Sequence, residues 1–143
     1  MPLSRYLSML EKSGKNLLVF RDDEVIFSSA SKGVAPLIEA IDSIGRHRLR
    51  GAVTADRIVG KAAALLNAYM EAREAHALLI SAAAKQTLTD HGLRFFFLEE
   101  TEAIKSPDGV LSCPFERLVR DISDPNEAYV RIKAKLAELW NPL

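Results

Sequence analysis

Apolar positions along this chain recur at two spacings, one helical and one extended. Leu3, Tyr6, Leu7 and Leu10 share one helical stripe, so a helix is expected from Leu3 to Lys12, ended by Gly14. The runs Leu17-Leu18-Val19-Phe20 and Val25-Ile26-Phe27 flank the charged Arg21-Asp22-Asp23-Glu24 and predict a β-hairpin. Being continuously apolar, both strands are expected to be covered on both faces. Asp23 stands where glycine would turn more easily, which leaves the turn type open. Helical spacing returns with Val34, Leu37, Ile38, Ile41 and Ile44; Pro36 fits the first turn and Gly45 marks the end. Arg46-His47-Arg48-Leu49-Arg50 then reads as a solvated basic connector.

The stretch Gly51–Leu66 organises the rest. It reads as a short approach strand, a polar turn, and a helix from Ile58 that has Lys61 as its only charge. Asp56 is expected at the N-cap, accepting from the free N–H groups of the first turn. A helix apolar almost all round is buried. Glu74 to Ile80 reads as a strand, Ser81 as the cap of a helix Ala82–His91 with Gly92 at C′, and Leu93 to Leu98 as a strand with Phe95-Phe96-Phe97 in the core. Strand, helix and strand joined by short connections imply a parallel, right-handed crossover. Glu99 to Ser112 is expected to be a loop with a turn at Pro107-Asp108-Gly109. Cys113-Pro114-Phe115-Glu116 opens a helix, with Cys113 as N-cap, Glu116 at N3 of a capping box, and Phe115, Leu118, Val119 and Ile122 on its inner stripe. Asp124-Pro125-Asn126-Glu127 repeats the start signal with a better cap. The final helix is expected to reach about Trp140, with Tyr129, Ile132, Leu136 and Leu139 facing in.

Composition narrows the class. The 143 residues fit one domain, 1–143, with a real core, and 48% hydrophobic content argues against disorder. Nineteen basic residues balance nineteen acidic ones, so neither nucleic acid nor an anionic membrane is an expected partner. No signal peptide or membrane-spanning run is visible, and the single cysteine excludes an internal disulfide; a soluble, cytoplasmic protein is expected.

The order of elements resembles the cytidine-deaminase-like fold: hairpin, helix, buried helix with polar residues at its start, strand, helix, parallel strand. More narrowly, Glu24-Val25-Ile26-Phe27-Ser28, Ala55-Asp56-Arg57-Ile58-Val59-Gly60-Lys61-Ala62-Ala63-Ala64 and Cys113-Pro114-Phe115-Glu116 resemble a small prokaryotic family, domain-of-unknown-function family 1893. The resemblance covers nearly the whole chain. It implies a three-layer α/β/α architecture with a mixed sheet, an N-terminal hairpin followed by parallel strands, and it brings no established reaction. Working deaminases of this fold carry H-x-E or C-x-E at one helix start and P-C-x-x-C at the next, for zinc. Here the matching slots are Thr54-Ala55-Asp56 and Ile80-Ser81-Ala82-Ala83-Ala84, without a histidine or cysteine. Metal and cofactor are therefore not expected.

In open α/β sheets ligands sit outside the carboxyl ends of the strands, near helix N-termini. That rule makes Thr54, Asp56, Lys61 and Ser81 candidate ligand contacts, with Glu116 beside them. Asp56 and Cys113 are the candidates for catalysis, the first as a base, the second as a thiolate stabilised by a helix start. Each also has a structural explanation: a cap, a lysine paired with an acid, a small half-buried thiol. Three functions are open. The leading one is binding of a small anionic or nucleotide-like metabolite at helix N-termini; the others are metal-independent group transfer or hydrolysis, and a non-catalytic scaffold. Self-association into a homo-oligomer is expected from the apolar terminal helices.

Overall fold

The computed structural model describes residues 3–105 and 113–140. Its frame is a five-stranded sheet in the order β2-β1-β3-β4-β5, built from β1 (Leu17–Arg21), β2 (Glu24–Ser29), β3 (Val53–Val59), β4 (Glu74–Ser81) and β5 (Arg94–Thr101). β1 runs antiparallel to both β2 and β3, whereas β3, β4 and β5 are parallel. Seven helices accompany them among the described residues: α1 (Arg5–Ser13), α2 (Ala35–Ile44), α3 (Arg46–Leu49), α4 (Lys61–Tyr69), α5 (Ala82–Asp90), α6 (Pro114–Leu118) and α7 (Pro125–Trp140).

The expected hairpin turns on Asp22 and Asp23, both at positive φ. Two left-handed residues in a two-residue loop match the right-handed twist of the strands, and aspartate tolerates that conformation better than most side chains. Of these two strands β1 is covered on both faces, while β2 is an edge of the sheet and is largely exposed, which corrects the expectation for its apolar run. Arg46–Leu49 is a single helical turn rather than a loop. β5 extends to Thr101, beyond the predicted end at Leu98, because its pairing with β4 continues through Ile80↔Glu100 and Ser81↔Thr101. The predicted turn at Pro107-Asp108-Gly109 lies outside the described residues.

The largest correction falls on the central stretch. Thr54-Ala55-Asp56-Arg57 is not a turn, and Asp56 caps no helix. All four lie inside β3, the middle strand, and the helix begins only at Lys61, five residues beyond Asp56, with Gly60 as its N-cap. The reason is non-local: β1 and β4 flank β3, so its backbone groups find ladder partners on both sides. Pleating then sorts its side chains. Val53 and Ala55 join a small core with Leu7, Leu10, Leu18 and Phe20 under α1. Thr54 and Asp56 turn to the opposite face, where α2, α4, α5 and α7 enclose the main core around Leu37, Leu65, Leu66, Ile80, Leu88 and Ile132. Thr54 is sealed there, donating to Asn67 Oδ1 at 2.7 Å while Asn67 Nδ2 donates to the Ala63 carbonyl.

α4 is buried from Ala62 to Asn67, as its near-uniform apolar surface requires. Ser81 caps α5 by accepting from the Ala84 N–H at 3.0 Å, and Asp124 caps α7 through the N–H groups of Asn126 and Glu127. Two inner-face expectations fail. Leu139 is exposed, and Phe96 points to the α1 side of the sheet, 41% exposed, while Phe95 and Phe97 pack against the main core. Among the described residues no helix is long and apolar enough to cross a membrane.

Candidate functional site

Where β3 ends, the sheet stops supporting its neighbours evenly. β1 pairs with β3 only as far as Leu17↔Asp56, so the last residues of β3 run past the start of β1. The space above them is a cavity of about 420 Å³ that includes Asp56, Ile58, Cys113 and Glu116 in its wall. Val34, Ala63, Ile104, Pro114 and Phe115 make its sides mainly apolar, and Asn16, Lys32 and Lys105 stand with them. A volume of this size suits a small organic molecule.

Asp56 is 6% exposed and has no side-chain partner among the described residues. Burial pushes its carboxyl up to about 7; the backbone N–H groups of Arg57 and Ile58 and the charge of Arg57 pull the other way and offset only part of that. Arg57 does not pair with it. Its guanidinium turns to the α1 side, where Nε donates to Asn16 Oδ1 at 2.9 Å and to the Lys15 carbonyl, and Nη1 lies 3.3 Å from Glu11.

Glu116 does not close a capping box on its own helix, and Cys113 makes no side-chain cap there. The carboxylate reaches across to α4 instead: Lys61 N–H donates to Oε1 at 2.8 Å and Ala62 N–H to Oε2 at 2.9 Å. This cap is supplied 55 residues away in sequence, and it satisfies two of the helix's orphan donors with a charge that suits the macrodipole. It also explains Gly60. A Cβ at that position would lie 2.6 Å from the Glu116 carboxyl carbon, so the carboxylate occupies the space a side chain would need. Gly60 is thus not a costly mid-helix glycine but the floor on which Glu116 rests.

The expected site residues therefore separate. Asp56, Cys113 and Glu116 line one cavity; Thr54, Lys61 and Ser81 do not. Among the described residues Lys61 pairs with no acid: its Nζ donates to the Arg120 carbonyl at 2.8 Å and its stem borders a separate depression with Leu65, Thr87 and His91. Ser81 is spent on its cap, and Thr54 on Asn67. The two helix starts that were expected to receive an anion already hold Glu116 and Ser81. With α4 beginning at Lys61, its start reads Val59-Gly60-Lys61, which also lacks an imidazole or thiol. These residues do not fit the zinc of the deaminase fold, and among the described residues no group of three His, Cys, Asp or Glu side chains is arranged to hold a metal ion. Sequence reasoning missed Lys32 and Lys105, exposed lysines in the cavity wall with no ion pair among the described residues. Both sit in connections, where neither periodicity nor cap signals mark a position.

Comparison with known proteins agrees with this architecture. The family model described as Domain of unknown function (DUF1893) matches residues 5–136. The crystal structure of a DUF1893 family protein from Thermotoga maritima superposes with a TM-score of 0.82 at 32% identity, over 90% of this chain and 86% of that one. RibD from Acinetobacter baumannii, form 1, superposes with a TM-score of 0.52 at 11% identity, over 66% of this chain and 34% of the other. That likeness identifies the mixed sheet and its helices as cytidine-deaminase-like. No curated protein matches the sequence.

Proposed function

The chain belongs to the DUF1893 family, and we propose that it binds a small metabolite in the cavity above Asp56, a ligand with an apolar or heteroaromatic body and an anionic group. The observation that carries this reading is Asp56 itself. A buried carboxyl that no cation among the described residues pairs with destabilises the fold once the pH exceeds its unfolded value, and a cavity of molecular size lies in front of it. Structure alone gives no return on that cost; a ligand that hydrogen-bonds the carboxyl does. Near neutral pH Asp56 is available both as donor and as acceptor, which suits the edge of a nucleobase-like ring. Val34, Ile58, Ile104 and Phe115 would enclose the body, and Lys32 and Lys105, rather than Lys61 or a helix end, would take the anionic group. An open cavity also supports binding over the scaffold alternative.

Native mass spectrometry of freshly purified protein tests the reading first, through a small molecule that leaves on denaturation. Thermal unfolding with nucleoside monophosphates and the matching nucleosides then tests its parts. At about 100 times Kd a ligand adds ~2.7 kcal/mol, which for a domain of this size raises Tm by roughly 5–10 °C. Lys32→Ala with Lys105→Ala is expected to lose the advantage of the monophosphate over the nucleoside, and Asp56→Asn to weaken both. A chain that retains no small molecule and responds to none of the panel refutes the reading.

A second reading has one observation in its favour. A carboxyl titrating near 7 is matched to proton transfer at working pH, and Cys113 lines the same cavity. Metal-independent chemistry would then make Asp56 the base, and Asp56→Asn would abolish turnover while the ligand is still bound.

A further inference from the structure

On the other face of the sheet, three residues far apart in sequence form a connected line. Ser4 Oγ lies 2.9 Å from His76 Nδ1, and His76 Nε2 lies 3.0 Å from Glu74 Oε1. For a neutral imidazole facing a carboxylate, the proton count along this line has one consistent assignment. Ser4 Oγ already accepts from the Leu7 N–H at 3.2 Å as the N-cap of α1, so its own proton is free to point at Nδ1. Nδ1 is then the bare nitrogen, and Nε2–H donates to Glu74. This is the tautomer in which an imidazole can take a proton from a serine hydroxyl while a carboxylate steadies the cation that forms. The ring is held in place as well, tilted against Tyr6 and stacked on Phe96, each at 4.8 Å between centroids. Helix capping accounts for the bond from Leu7; it accounts for neither His76 nor the carboxylate behind it.

Two further features sit beside Ser4. A depression of about 350 Å³ lies against it, lined by Leu3, Leu7, Phe95, Phe96 and Leu98. The first-turn N–H groups of Arg5 and Tyr6 have no acceptor within their own helix, and they adjoin the hydroxyl. We propose that Ser4, His76 and Glu74 form a second site, distinct from the cavity above Asp56, which hydrolyses esters of short apolar acids.

The steps balance with water as the only co-reactant. Ser4 Oγ bonds to the ester carbonyl carbon as its proton passes to His76 Nδ1. The carbonyl oxygen takes the negative charge beside the start of α1. Collapse breaks the bond to the alkoxide, which leaves with the proton from Nδ1. Water then attacks the acyl-serine, gives its proton to the same nitrogen, and the carboxylic acid departs as Ser4 recovers its hydrogen. Ser4 is the nucleophile and His76 the base; Glu74 is a positioning residue that acts through the ring. Burial holds the His76 pKa below the ordinary imidazole value, and hydrogen bonding and charge from Glu74 pull it up. Arg94 Nη1 lies 3.6 Å from Oε2, the other oxygen of the Glu74 carboxylate.

The folded full chain is treated with a fluorophosphonate and digested, and p-nitrophenyl butyrate hydrolysis is followed in parallel. An adduct on Ser4 is expected, which heat-denatured protein lacks. Ser4→Gly keeps a usable helix cap, since glycine is tolerated at that position almost as well as serine. It is expected to lower kcat/KM at least about 100-fold with an unchanged circular dichroism spectrum. Glu74→Gln is expected to lower kcat with little change in KM, because it disturbs the base and not the acyl depression. Absence of an adduct on Ser4 in the unaltered chain, or hydrolysis that survives in folded Ser4→Gly, overturns the proposal.

Discussion

Asp56 and His76 stand on neighbouring strands one step out of register: Ala55 pairs with His76, and Asp56 with Ala77. That single step puts them on opposite faces of the sheet, and their surroundings differ accordingly. His76 has both ring nitrogens engaged and a ring on each side. Asp56 has backbone N–H groups, no paired cation among the described residues, and open space in front of it. One buried ionisable group is fully provided for by the chain, and the other is left with capacity to spare. The comparison shows that burial alone does not mark a site: Asp56 is singled out by capacity left over beside a cavity, His76 by the line of partners that it joins.

The two groups also pull stability in opposite directions with pH. Burial raises Asp56, so the folded state holds a proton that the unfolded state releases, and stability falls as the pH rises from about 3.8 to about 7. His76 is lowered, so the unfolded state binds the proton first, and stability falls as the pH drops below 6.5. Asp56→Asn separates the two. At ~1.4 kcal/mol per pH unit over that window, it is expected to add as much as ~4 kcal/mol at pH 8 and almost nothing at pH 4. Urea unfolding across the pH range checks it, and what pH dependence remains around neutrality should carry the sign of His76. A variant no more stable than the parent at pH 8 would mean that Asp56 is satisfied after all, and the contrast with His76 would be lost.

The next effect concerns how the cavity wall is held. Glu116→Ala removes two charge-assisted bonds from the start of α4 and is expected to cost about 2–3 kcal/mol. Gly60→Ala should cost a similar amount by a different route, since its methyl group displaces the same carboxylate. The double variant is then expected to be far less destabilised than the sum, which a denaturant-based mutant cycle measures. Additive losses would show that Gly60 and Glu116 act independently. The smallest effect lies at the other site: Ser4→Ala is expected to cost about 1 kcal/mol and Ser4→Gly only a few tenths. Equal losses would mean that the bond to His76, rather than the cap, dominates the stability of that end of α1.

Much of the frame was legible in the chain. Hydrophobic spacing located the hairpin, the helices and the parallel strands, because each pattern is set by the local repeat of helix or strand. Ser81, Gly92 and Asp124 were read as punctuation for the same reason, since a cap acts within three or four residues. The segments around Glu24, Ala55 and Cys113 carried the resemblance to the family. Local rules misread β3, where polar Thr54 and Asp56 look like a turn. Only pairing with β1 and β4 makes that stretch a strand.

The sites depended almost wholly on tertiary structure. Sequence alone picked out Asp56, Cys113 and Glu116 as chemistry-bearing residues, but their convergence on one cavity follows from the length of β3 and the return of α6 over α4. The same packing sends Lys61 toward the Arg120 carbonyl and places Lys32 and Lys105 in the cavity wall. Ser4 and His76 are 72 positions apart and share no pattern; α1 brings them together by laying its apolar stripe against β3 and β4. The division has a physical cause. Helix and strand spacing is written in neighbours a few residues apart, whereas which side chains meet is fixed by strand register and helix docking. Those are set by the burial of the whole core, not by any one segment of it.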